Sequence, residues 1–384
     1  MKTNILKSLA LIALTFTTGC SSDEDPVKTT PNLEGTVLKG EIVSDLNIPV
    51  GNYSLKGAVI IANGATLTIA PGTTFTVSSV DQAEGDNYLL VERGAKLIAN
   101  GTATSPIVFT AESTKIGAWG GLIINGRAKI NAVGGEEIAE AGGKTYGGTD
   151  DSDSSGSLKY VRVEYAGAAI TGGTAEYNAF SFFGLGTGTT LENLQAYKGA
   201  DDGFEFFGGK VNATNLAAFG CEDDSIDWDK GYSGTLTNIW IKQPSNGDWA
   251  FETSNHPSEF NLTPRSNPTV NNVTVEGNGN LKKAAFLFKE GTAGTINNVK
   301  VSNVGYVVQL TTQLSQYTDN TLNVNNVLSP AGFTKALTNN AVIISAQSVT
   351  PVIYDTTNID DIITTSAAAT GANETVFANT WVKF

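Results

Sequence analysis

The chain is poor in the residues that much enzyme chemistry relies on. Its 384 residues include one histidine, one methionine and two cysteines, and only 16% are charged, against roughly 25% in an ordinary soluble domain. One histidine excludes a histidine-rich metal centre and leaves a Ser-His-Asp mechanism poorly supplied. Runs of Ala, Leu, Glu and Lys at helical spacing are missing beyond the N-terminus, which excludes a helical bundle. Basic residues are scarce beside acidic ones: 24 Lys and Arg face 38 Asp and Glu, a net charge of −14. Such a surface repels phosphate backbones, so no nucleic-acid partner is expected. Abundant instead are glycine, with 42 residues, and hydrophobic residues, at 40%. That is enough apolar material for a large core, so the chain is not disordered.

Residues 1–19 read as an export signal. Lys2 and Lys7 precede the apolar stretch Leu9-Ala10-Leu11-Ile12-Ala13-Leu14-Thr15-Phe16, which is too short to span a bilayer. Thr17-Thr18-Gly19-Cys20 then resembles the lipobox of bacterial lipoproteins, with cleavage before Cys20 and acylation of its thiol. An ordinary secretory signal with an incidental cysteine is the alternative. Two or three acyl chains anchor stably where one does not. Loss of the signal removes Lys2 and Lys7 and leaves 22 basic residues against 38 acidic, or −16. With Cys20 acylated only Cys221 remains, so no internal disulfide can form. The acidic Ser21-Ser22-Asp23-Glu24-Asp25 opens a tether over 20–34; it is either a surface-export signal or a solvated linker.

From Gly35 the text is short β-rich segments broken by Gly, Asn and Asp. Gly64-Ala65-Thr66-Leu67 is repeated as Gly94-Ala95-Lys96-Leu97. Leu194 to Phe206 matches Leu216 to Trp228 at an offset of 22 without a gap, aligning aromatics and acids alike. An Asn before an apolar residue recurs at Asn193, Asn215, Asn238, Asn272, Asn298 and Asn326. Spacings of 22 to 34 fit coils of a parallel β-helix with insertions, whose apolar side chains point inward and stack between coils. Asn suits a turn because it tolerates left-handed dihedrals; the column is either a bonded ladder or a set of solvated turns. Propeller blades would repeat every 40–50 residues, and sandwiches would show hairpin turns; neither pattern is present. The expected fold is therefore all-β: a single-domain right-handed parallel β-helix over 35–344, of about 10–13 coils. Insertions are expected at about 132–156, which is Gly-rich and acidic, and 244–268, which is Pro-rich. A capping region is expected over 345–384, where the repeat is lost.

The offset of 22 has a chemical consequence. It places Asp201 over Asp223, Asp202 over Asp224 and Glu205 over Asp227, with Asp229 beside them, about 4.8 Å apart along the axis. Two ionised carboxylates that close repel by roughly 3 kcal/mol at an effective dielectric near 20. Three readings stay open: local Asx-type turns, a cation site with calcium as the expected ion, held by Asp201, Glu205, Asp223 and Asp227, and acid/base catalysis. Phe207, Tyr232 and Trp249 are candidates to stack on a sugar, and Arg265 is a further candidate contact. Pectin-degrading β-helix hydrolases also use stacked carboxylates, but carry Gly-His-Gly and Arg-x-Lys segments that this chain lacks; its His256 lies in the second insertion. β-helix polysaccharide lyases need a cation with Arg or Lys as base, for which Arg265 and Lys230 stand nearest in sequence.

Trp119-Gly120-Gly121-Leu122-Ile123-Ile124-Asn125-Gly126, Tyr146-Gly147-Gly148, Leu158 to Gly167, Asp201 to Gly209, Asp223 to Asp229 and Pro264-Arg265-Ser266-Asn267-Pro268 together resemble a family of Bacteroidetes outer-membrane β-helix lipoproteins. The resemblance covers nearly the whole chain. It implies a parallel β-helix and an outer-membrane lipoprotein, but supplies no established activity or catalytic residue; the lipobox at Cys20 and the acidic run after it make the expected place a lipid anchor facing the cell surface. The expected function is a monomeric binding or accessory protein for a glycan or other nutrient, standing alone or beside an outer-membrane transporter. A polysaccharide lyase or hydrolase using the Asp stack and a purely structural solenoid are the alternatives.

Overall fold

A computed structural model describes residues 32–78, 84–170, 172, 175–280, 283–311, 321–328, 342–344 and 362–384. The expected signal segment, Cys20, most of the tether and residues 345–361 lie outside these. From Asn32 the described residues wind into a parallel β-helix of right hand. Among them the antiparallel strand pairs are 33–34 with 37–38 and the hairpin of 136–138 with 145–147.

Each coil presents three strands. The first face runs through 58–61, 88–91, 121–125, 180–183, 204–207, 226–229, 251–253, 284–288, 306–311 and 342–344. The second runs from 46–48 through 66–69, 96–100, 156–159 and onward. The third follows it after one bent residue, as in 161–164, 194–197, 216–219 and 239–242.

Alternation along each strand fixes what faces inward. On the first face Val59, Leu89, Leu122, Phe180, Phe204, Ile226, Phe251, Phe286 and Val308 stack in register, each 0% exposed. Phe180 and Phe204 lie nearly parallel, 4.8 Å apart. Each such side chain contributes roughly 1.5–3 kcal/mol by leaving water. Cys221 is free and buried, so among the described residues this apolar column stabilises the coils without a disulfide.

The asparagine column forms the bend between second and third faces. Asn193, Asn215, Asn238, Asn272, Asn298 and Asn326 all have φ between 55° and 64°, where Asn is tolerated and most residues are not. Of the two expectations for this column, the bonded ladder is the one observed. Asn215 Nδ2 donates to Asn193 Oδ1 at 2.8 Å, Asn238 to Asn215 at 2.6 Å and Asn298 to Asn272 at 2.7 Å. Only at its last rung, Asn326, is it exposed.

Three expected boundaries shift. The first insertion leaves the coil after Asn125 and returns at Gly156. The stretch 244–268 is not one insertion: Phe251–Thr253 is a first-face strand paired with 226–228 and 286–288, with shorter excursions on either side. The C-terminus is not simply an end cap. Ile363–Thr365 pairs with the strand at 322–328, but the chain then runs back along the asparagine bend. Thr370, Ala372, Asn373 and Lys383 donate backbone N–H groups to Asn298, Thr274, Asn238 and Gln195 in turn. Trp381 packs edge-on against Tyr160, and Phe377 and Phe384 against Trp240. The repeat is lost there because these residues form a lateral strap rather than another coil.

Candidate functional site

The acidic stack lies on the outer side of the first face. The strands hold Glu205 directly beside Asp227, and Asp227 beside Glu252. A second row sits in the turn just before those strands. There Asn178 Oδ1 accepts from the Asp202 amide at 3.2 Å, Asp202 Oδ1 from the Asp224 amide at 3.0 Å, and Asp224 Oδ1 from the Trp249 amide at 2.7 Å. Each carboxylate thus spends one oxygen holding the next coil's turn. Gly203 is required here, because a Cβ would lie 2.6 Å from the Ser225 carbonyl oxygen. Asp201 and Asp223 form the outermost row, with Asp248 one coil further.

Ligand atoms of Asp201, Asp202 and Asp223 come within 4.8 Å of one another, as do those of Asp202, Glu205 and Asp227, and those of Asp224, Asp227 and Glu252. These overlapping triads could hold a metal ion. Asp202 and Asp224 are buried, Glu205, Asp227 and Glu252 half-buried, and Asp223 exposed, so the site is reached from solvent on one side.

Burial is the first cause that pushes these carboxyls toward their neutral form. It raises Asp201 to about 8, with the Asp223 carboxylate adding to the effect. Burial, then neighbouring carboxylates, also holds Asp202, Glu205 and Asp224 well above the carboxylate range. Asp227 and Asp229 are raised too, despite nearby Lys289 and Lys230. Two lysines border the stack. Lys289 pairs with Glu252, and Lys283 with Asp248 while its ammonium lies 3.5 Å above the centre of the Trp249 ring. They leave part of the stack unserved: Asp227 Oδ1 and Asp229 Oδ1 are buried without a hydrogen-bond partner. Hard carboxylate oxygens in this number, with orphaned atoms among them, could hold an oxygen-seeking metal ion.

The expected stacking of Asp201, Asp202, Glu205, Asp223, Asp224, Asp227 and Asp229 is therefore present, but several other candidates are corrected. Phe207 is buried and stacked on Phe183, with ring centres 4.0 Å apart, beneath the first excursion. Tyr232 is 0% exposed, stacks on Phe206 and donates its hydroxyl to the Val211 carbonyl. Neither can meet a sugar, because the excursion covers Phe207 and Tyr232 packs into the core of the coils. Arg265 reaches the carbonyls of Gly291 and Thr292 and braces the neighbouring coil. Lys230 pairs with Glu137 of the excursion. His256 accepts from the amides of Ser258 and Glu259 in its own loop. Trp249 alone of the aromatic candidates stands at the stack.

Glu252, Asp248, Lys283 and Lys289 were not among the expected residues. A signal for the first two was present: Asp248-Trp249-Ala250-Phe251-Glu252-Thr253 repeats Asp223-Asp224-Ser225-Ile226-Asp227-Trp228 at an offset of 25. The surrounding prolines made that stretch read as loop.

The family model for a pectate-lyase-like β-helix domain matches residues 40–383. The chain belongs to that family. No curated protein and no solved structure matches it.

Proposed function

We propose that the protein is a calcium-dependent polysaccharide-binding lipoprotein, anchored in the outer membrane through Cys20 and facing the cell surface. The observation that carries the binding reading is the run of three overlapping carboxylate triads on consecutive coils of one exposed face. In the ionised state these triads repel one another and any anionic ligand. A divalent cation held by Asp202, Glu205, Asp227 and their neighbours offsets that repulsion and offers its remaining coordination positions to sugar hydroxyls or carboxylates. The anchor rests on Thr17-Thr18-Gly19-Cys20 and the acidic residues after it.

The test is retention of the full chain on immobilised neutral and acidic polysaccharides, in calcium and in EDTA. Calcium-dependent retention that Asp227→Asn removes supports the reading; equal retention in both buffers, or none, rejects it. For location, protease added to intact cells should degrade the protein. Survival until the outer membrane is broken would rule out surface exposure.

A lyase is the second reading, favoured by Lys283. Burial lowers its proton affinity, and it lies beside Asp223 and Asp224. Lys283 would take the proton next to a uronate carboxylate while the glycosidic oxygen on the adjacent carbon leaves, and a cation held by the stack would supply the acidification of that proton. Unsaturated product from acidic polysaccharides, lost in Lys283→Ala while calcium still binds, would replace the binding reading with this one.

A further inference from the structure

We propose that a second pocket, formed where the first excursion folds back on the helix, is an oxyanion site that receives the carboxylate or sulfate ester of an acidic polysaccharide. It deepens the polysaccharide reading and rests on it for the ligand's class. The oxyanion chemistry stands on the pocket's own residues.

The pocket has a volume of about 310 Å³ and is lined by Arg93, Arg127, Glu136, Gly147, Thr149 and Asp150, among others. Arg93 and Arg127 follow first-face strands of adjacent coils, 88–91 and 121–125, on the same side of the β-helix as the carboxylate stack but nearer its N-terminal end. The two acids in the pocket are already engaged. Glu136 pairs with Arg93 at 2.6 Å, and Arg93 also donates to the Gly147 carbonyl at 2.8 Å. Asp150 accepts from the amide and hydroxyl of Ser152 at 3.0 and 2.6 Å.

Arg127 is different. Its guanidinium makes one long contact, 3.5 Å to Asn63 Oδ1, and has no carboxylate partner among the described residues. Its side chain is exposed at the wall of the cavity, which leaves most of its donors open to a ligand there. The excursion passes close to its backbone: at Gly148 a Cβ would lie 2.9 Å from the Arg127 carbonyl oxygen. Gly148 thus lets the excursion run beside this arginine and form the cavity wall with it. A planar guanidinium fork with free donors matches a carboxylate or sulfate, which it can grip with two parallel hydrogen bonds.

The test is calorimetry on the full chain with three probes: a hexuronate oligomer, inorganic sulfate and a neutral oligosaccharide. Each is titrated in EDTA, where the carboxylate stack holds no cation, and again in calcium. In EDTA the wild type should bind the uronate or the sulfate and not the neutral sugar. Arg127→Ala should weaken that binding about tenfold or more. Arg127→Lys, which keeps the charge but loses the fork, should fall between. Preference for uronate identifies the carboxylate as the source and preference for sulfate identifies the ester. Loss of calcium dependence with Arg127-dependent binding intact rejects the cation reading and upholds this one. Equal binding of every probe by wild type and Arg127→Ala, or no oxyanion binding by the wild type in EDTA, overturns the oxyanion site. Arg127 is exposed, and unchanged melting of both variants would show that folding is not the cause.

Discussion

The outward row of the first face changes character halfway along. In register it reads Ile60, Leu90 and Ile123, then Ser181, then Glu205, Asp227 and Glu252, and then Leu287 and Gln309. The backbone ladder is the same throughout. The covering differs: over the apolar rungs lies the first excursion, with Ala139, Ala141 and Tyr146 packed on Leu90 and Ile123. The glutamate and aspartate rungs remain half open to water. One part of the face is thus a floor for a loop, and the other is an acidic floor half open to water. A parallel β-helix sets the spacing of its outer side chains, and the residues chosen decide what fills the space above them.

The largest effect should come from forcing the chemistry of one half on the other. Ile123→Asp places an unpaired carboxylate where Ile123 is now 0% exposed, and should cost about 3–5 kcal/mol, measured by denaturant unfolding. A loss below about 1 kcal/mol would mean the excursion does not seal that half.

The acidic half should respond to pH in the opposite sense from an ordinary salt-bridged carboxylate. Asp201 has a folded pKa of about 8, above its usual 3.8, so between those values the folded chain binds more protons than the unfolded one. Stability then falls as pH rises from about 4 to about 8. Melting temperature without calcium should decline over that window, and calcium, by holding the carboxylates ionised, should flatten the decline. A cation-free chain that gains stability over that window would contradict the raised carboxyls.

A smaller effect should distinguish the inner rungs of the asparagine ladder from its end. Asn215→Ala removes side-chain bonds to Asn193 and Asn238 and leaves alanine at φ 59°, at a cost of about 1–3 kcal/mol. Asn326→Ala, exposed at the last rung, should cost less. Equal losses would show that the strained dihedral, and not the ladder, sets the cost.

Much of this was legible because a coil repeats its chemistry at the spacing of its geometry. The offset of 22 between Asp201 and Asp223 survives because no residue is inserted between those coils, so acids that match in sequence also touch in space. The same cue was lost one coil later, where Pro244 and the turn at Gly247 stretch the offset to 25 and hide Glu252. Inward and outward positions were legible for Phe204 and Phe206 but not for Phe207 and Tyr232. An excursion and a neighbouring coil bury those two, and neither covering leaves a local pattern. Lys289 and Lys283 could not be assigned to the stack from sequence, since they reach it from the next coil across a turn of irregular length. The Arg127 pocket depends on a loop folding back over two coils, a contact no periodicity encodes.

The central claim is that the carboxylate stack binds a divalent cation. The most direct measurement is a calcium titration of the EDTA-treated full chain at pH 7, followed by calorimetry and by melting temperature, beside Asp223→Asn/Asp227→Asn. Saturable binding is expected, with a melting temperature that rises with calcium, returns on adding EDTA, and rises much less in the double variant. A wild-type melting curve that is the same from EDTA to millimolar calcium, with no binding heat, would contradict the claim and leave shared protons and turn hydrogen bonds as the way the stack is tolerated.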